Sequence, residues 1–96
     1  MKIRWLQSAL NDAQGIHDYI ARDSVAAARR VIKAIRDELK VLPENPAIGR
    51  PGRIEGTREL IIRKYPYIVA YRQTTVSIEI LAVVHSSRRW PGALKF

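Results

Sequence analysis

The chain has 96 residues, 47% of them hydrophobic, no cysteine, and a formal charge of +8. That length holds one domain, spanning 1–96, with no room for a separate cofactor unit, and the missing cysteine removes disulfides, thiolate zinc sites and cysteine nucleophiles together. The N-terminal residues lack the apolar core of a signal peptide and no apolar run approaches the ~18–20 residues of a membrane span, so a cytoplasmic protein without a membrane partner is expected.

Lys2 to Trp5 alternates as a short strand does. Ser8 is placed to cap a first helix, in which Leu6, Ala9, Leu10, Ala13, Ile16, His17 and Ile20 recur at helical spacing over about 14 residues. Gly15 inside it costs about 1 kcal/mol against alanine and would allow close helix packing. Asp23 and Ser24 break the pattern and cap a second helix, with Ala28, Val31, Ile32, Ile35, Leu39 and Leu42 on its apolar stripe and a stop before Pro43. So short a break makes the pair an antiparallel hairpin. Arg29, Lys33, Arg36 and Lys40 line a basic stripe that reads as a solvated helix face.

Pro43 to Arg53 is too rich in proline and glycine for regular structure, and Pro51-Gly52 has the make-up of a type II turn centre. Three strands follow: Thr57 to Arg63, Tyr67 to Arg72 behind Pro66, and Val76 to Val84. The last places Ser77 and Glu79 outward, then turns apolar on both sides from Ile80 to Val84, as an interior strand does. The fold class expected is α+β, in the order β-α-α-β-β-β: a helical hairpin on one face of a mainly antiparallel four-stranded sheet. The other face is expected to carry the basic, aromatic second half.

The charge is uneven. Residues 1–48 carry eight basic and six acidic groups, residues 49–96 nine basic and three acidic. Such a field attracts phosphate backbones or an acidic partner chain. Candidate chemistry is sparse. His17 lies in an apolar stripe and reads as a half-buried structural residue. His85 ends the last strand and precedes Ser86, Ser87, Arg88 and Arg89. It could act as general acid/base in phosphodiester cleavage, with the arginines stabilising charge, or serve as a polar strand end. Tyr65, Tyr67 and Tyr71 could stack bases, or pack within the sheet. No ligand spacing for a metal exists, and no Gly-x-Gly-x-x-Gly, Walker-type or Gly-x-Ser-x-Gly motif, so neither a metal nor a cofactor is expected.

The element order resembles that of the RelE/ParE superfamily of toxins. The segments Gly49-Arg50-Pro51-Gly52-Arg53 and Gly56-Thr57-Arg58-Glu59-Leu60 look like theirs. So do Tyr65-Pro66-Tyr67-Ile68-Val69-Ala70-Tyr71-Arg72, Ile78-Glu79-Ile80-Leu81-Ala82-Val83-Val84-His85 and Arg88-Arg89-Trp90-Pro91. The resemblance covers nearly the whole chain in order. It implies the toxin of a bacterial type II toxin–antitoxin pair, neutralised by an acidic antitoxin whose extended segment wraps it. Arg58, Arg63, Tyr67, Tyr71 and Arg72 are the expected antitoxin contacts. Arg63, Arg72, Arg88, Arg89 and Trp90 are the expected contacts to the target.

Two activities occur in the superfamily. ParE-like members inhibit DNA gyrase; RelE-like members cut mRNA in the ribosomal A site without metal. Nucleases of the RelE and YoeB kind carry an arginine three residues before the tyrosine of the third strand, and that position is Ile68 here, which cannot donate to a phosphate. Pro91 and Gly92 also break the segment where a long C-terminal helix would run. His85 matches the strand-end histidine of YoeB- and YafQ-like nucleases, but gyrase-directed members can carry one too. The resemblance therefore favours a ParE-like, non-enzymatic toxin. The alternatives are a ribosome-dependent endoribonuclease with His85 as acid/base, and a non-toxic antitoxin- or DNA-binding module.

Overall fold

The structure, a computed structural model, describes residues 1–87. Its elements are β1 (Lys2–Trp5), α1 (Gln7–Ala21), α2 (Val25–Leu39), β2 (Arg50–Pro51), β3 (Arg58–Ile61), β4 (Tyr67–Gln73) and β5 (Ser77–His85). The sheet has five strands in the order β1-β5-β4-β3-β2, one more than the sequence led us to expect. The extra strand is β2, which pairs Arg50 with Glu59 and Pro51 with Arg58. Proline is tolerated there because β2 is an edge. Among the described residues only β1 and β5 run parallel; the other pairs are antiparallel.

The helices form the expected hairpin, with some corrections in detail. Leu6, not Ser8, is the N-cap of α1 and offers no side-chain bond. Ser8 instead donates its hydroxyl to the carbonyl of Leu81 at 2.7 Å, and one turn on Asp12 accepts from the Val83 amide at 2.9 Å. Past Trp5, where β1 ends, these side chains continue the bonding along the edge of β5. Burial raises the Asp12 carboxyl above its ordinary range, against the lowering effect of that amide. Ser24 does cap α2, accepting from the Ala27 amide at 3.1 Å. Leu10 is exposed, and a Cβ on Gly15 would meet nothing within 4 Å, so Gly15 serves no close packing.

Alternation sorts the sheet into two faces. Val69, Tyr71, Ile78, Ile80 and Val83 pack with Ala9, Val31, Ile35, Leu39 and Leu42 in the core under the helices. Ile68, Ala70, Arg72, Glu79, Ala82 and Val84 face the other way. Leu81 sits at the irregularity where the register passes from Ala70↔Ala82 to Tyr71↔Ile80. A bulge there lets both halves of β5 keep their apolar residues on the correct side.

The Pro51-Gly52 turn is also corrected. Gly52 has no positive φ; its amide bonds Thr57 O at 2.8 Å, and an added Cβ would collide with the Thr57 hydroxyl. The reversal comes later, where the Thr57 amide bonds Ile54 O at 3.1 Å and Gly56 takes φ 81°. Glycine is needed at both positions, for close approach at one and for dihedral freedom at the other.

Candidate functional site

The expected site residues do not form one cluster. His85 pairs in register with Tyr67, and their rings meet edge-on, 5.4 Å between centroids at 81°. His85 Nδ1 accepts from the Ser87 amide at 3.2 Å and lies 2.8 Å from the Ser87 hydroxyl, which leaves the proton of the neutral ring on Nε2. The β3–β4 turn stands at this same end, because the Ser86 amide bonds Pro66 O at 2.8 Å. Glu38 of α2 pins that turn by accepting from the amides of Arg63 at 2.8 Å and Lys64 at 3.4 Å, leaving the Arg63 side chain exposed.

Arg72 lies elsewhere. It is five residues beyond Tyr67 on β4, roughly 17 Å along the strand at the usual rise, and on the opposite face. There its Nε donates to Glu79 at 2.7 Å. Arg88, Arg89 and Trp90 lie outside the described residues. Ile68, the position at which the resemblance leads one to look for a nuclease arginine, is 5% exposed and paired with Ile61 and Val84.

Tyr71 is fully buried and offers a partner no surface, which corrects its reading as a contact residue. Its hydroxyl donates to Pro46 O at 2.8 Å and accepts from the Gly49 amide at 2.9 Å. Burial raises its pKa, against the lowering effect of the Gly49 bond. Arg58 joins this work, donating to Gly49 O at 2.9 Å. A Cβ on Gly49 would stand 2.6 Å from that hydroxyl and 2.9 Å from Glu59 O. Tyr71, Gly49 and Arg58 thus fasten the 43–53 loop to the sheet. The aromatic residues of β4 face the helices, and the open face carries charge instead.

That charge is ordered. Across the strands in spatial order the open face presents Arg4 on β1, Glu79 on β5, Arg72 on β4, Glu59 on β3 and Arg50 on β2. Glu79 is held by Arg72 and by Arg4 at 3.6 Å. Glu59 receives Nε and Nη2 of Arg50 at 3.2 and 2.9 Å and the Arg53 amide at 3.2 Å, with Arg53 Nε 4.0 Å away. The carboxylates are 11% and 3% exposed, whereas the side chains of Arg4, Arg50, Arg53 and Arg72 are 70, 50, 56 and 42% exposed. Sequence reasoning placed Arg72 among the candidates and passed over Arg4, Arg50 and Arg53. The signal that could have found them is one charge per strand at positions that alternation sends away from the helices.

Among the described residues no group of carboxylates and histidines could hold a metal ion, and no helix is long and apolar enough to cross a membrane.

Residues 3–90 match the model of a family described as the ParE toxin of the type II toxin-antitoxin system, parDE. Y4kP of Sinorhizobium fredii, named as a candidate toxin, is 44% identical over 97% of this chain and 96% of its own length. Toxin RelE2 of Caulobacter vibrioides is 30% identical over 91% and 97%. Among solved structures, a chain of the chromosomal ParDE TA system from P. aeruginosa superposes with a TM-score of 0.80 at 26% identity, covering 88% of this chain and 95% of that one. A chain of the RelBE2 toxin-antitoxin complex from Mycobacterium tuberculosis shares the fold, with a TM-score of 0.54 at 23% identity over the same shares.

Proposed function

This chain belongs to the ParE toxin family of type II toxin–antitoxin systems, and on that premise we propose that it arrests growth by binding DNA gyrase and is silenced by a cognate antitoxin. The observation that carries the gyrase reading is the separation, among the described residues, of Arg72 from His85, two groups a nuclease would need to gather. His85 and Arg72 stand on opposite faces at opposite ends of β4, and Ile68 fills the position of a phosphate-binding arginine with a packed aliphatic side chain. General acid/base catalysis needs its groups within hydrogen-bond reach of one phosphate. A toxin that works by occupying a protein surface has no such requirement. An acidic antitoxin suits the net charge of +8, and the structural neighbours come from toxin–antitoxin systems.

The test is a pair of assays on purified protein: gyrase supercoiling, and mRNA cleavage on programmed ribosomes. Inhibited supercoiling without A-site cutting is expected, with His85→Ala retaining toxicity. On the nuclease alternative, losing His85 would cost about 10²–10⁴ in cleavage rate. Efficient A-site cutting by the unmodified protein would overturn the gyrase reading.

A further inference from the structure

The open face differs from a surface built to receive a protein segment. Protein interfaces centre on apolar anchors with few charges, and here the central apolar residues offer little surface, Ile68, Ala70 and Ala82 being 5, 2 and 4% exposed. What the face offers is guanidinium. Arg4, Arg72 and Arg50 stand on alternate strands, about 10 Å apart and about 19 Å from end to end at the usual strand spacing, with Arg53 beside Arg50. All are arginines, whose planar forks suit phosphate oxygens better than a lysine point charge does. The buried carboxylates hydrogen-bond Arg50 and Arg72 and attract Arg4 and Arg53 at 3.6 and 4.0 Å, which orders the guanidiniums before any ligand arrives and lowers the entropy lost on binding.

We propose that this face docks on the sugar–phosphate backbone of duplex DNA without regard to sequence. Arg4, Arg50, Arg53 and Arg72 contact phosphates, and Glu59 and Glu79 are positioning residues. The contact is independent of the gyrase reading, since it is measured with DNA and this protein alone.

The experiment is fluorescence anisotropy of a mixed-sequence 20-base-pair duplex with the full chain, from 50 to 200 mM KCl. Each neutralised phosphate contributes a slope of about −0.9 in log affinity against log salt, so four contacts give about −3 to −4. Arg4→Gln and Arg50→Gln should each make the slope shallower by about 1, while Arg29→Gln, which removes the same charge from the exposed side of α2, should leave it unchanged. Glu59→Gln and Glu79→Gln make the protein more basic. Attraction by net charge alone would tighten binding, whereas loss of positioning should weaken it about three- to tenfold. If either glutamine variant fails to fold by circular dichroism, the aspartate variant, which keeps the charge and shortens the reach, takes its place and should also bind more weakly. A slope shallower than about −1, or one indifferent to Arg4 and Arg50, would overturn the phosphate contacts. Tighter binding by the glutamine variants, or undiminished binding by the aspartate ones, would overturn the positioning role. Stronger binding of a polyglutamate peptide than of the duplex would reassign the face to an acidic protein segment.

Discussion

Beneath the helices, Val69, Tyr71, Ile78, Ile80 and Val83 bury apolar surface against α1 and α2. On the reverse of the sheet, Glu79 pairs with Arg72 and Glu59 with Arg50, each across neighbouring strands. The first face derives its stability from burial, which is large and little affected by salt. The second derives less from its pairs, because their arginines reach into water, but it holds polar groups in fixed positions. One β-sheet can therefore place its larger core on one side and, on the other, array charge around a smaller buried cluster that includes Ala70 and Ala82.

The largest effect should come from cutting into the helical side. Ile80→Ala removes a fully buried side chain and should cost about 2–5 kcal/mol in urea unfolding. Next is Ile68→Arg, which tests whether the middle of the open face is as closed as its burial indicates. A charge forced in there should cost a few kcal/mol and create no cleavage on programmed ribosomes; a variant of unchanged stability would show the middle to be open. Tyr71→Phe leaves the Gly49 amide and the Pro46 carbonyl without their partner, and a loss of about 1–3 kcal/mol is expected. On the charged side, Glu59→Leu should cost more than Glu79→Leu in paired thermal melts, because only Glu59 also satisfies a backbone amide, that of Arg53. Equal losses would refute that distinction.

The smallest effect concerns Asp12. Its folded-state pKa is raised by burial, so between the unfolded and folded values the native state binds more protons than the unfolded one, and stability from this group falls as pH rises through that window. Asp18 and Asp37 act oppositely, lowered first by hydrogen bonds to His17 and Lys33, and what they contribute is lost on acidification. Asp12→Asn can keep an acceptor for the Val83 amide without burying charge. Its stability at pH 7 should equal or slightly exceed that of the parent, and between pH 3 and 6 it should rise more steeply. A marked loss at pH 7 would show that the ionised carboxylate is needed.

The sequence made the helical side readable and left much of the charged side hidden, for a physical reason. Helical spacing and an alternating strand are local, so β1, both helices and the Ser24 cap could be read from neighbours in the chain. Ser8 misled because its partner, Leu81, is 73 positions away. Tyr71 and Arg58 looked like surface groups because their roles depend on a loop that crosses back over them. Glu59 and Glu79 gain their meaning only from registers that place Arg50, Arg72 and Arg4 beside them. The turn shifted from Gly52 to Gly56 because two glycines offered the same freedom and tertiary contact chose between them.

The parallel pairing of β1 with β5 bears on how this protein is made. Lys2 to Trp5 must wait for Ser77 to Ile80 before it has a neighbour in the sheet, and β5 is also the strand that joins β1 to β4. During synthesis the helical hairpin and the β3–β4 hairpin can form early from local contacts, but the sheet closes only when the last of its strands has left the ribosome. The charged face, assembled from all five strands, is completed at that same moment. Until β5 has emerged, neither the parallel edge nor the row of charges across the sheet exists in its final form, so both are late products of the same pairing.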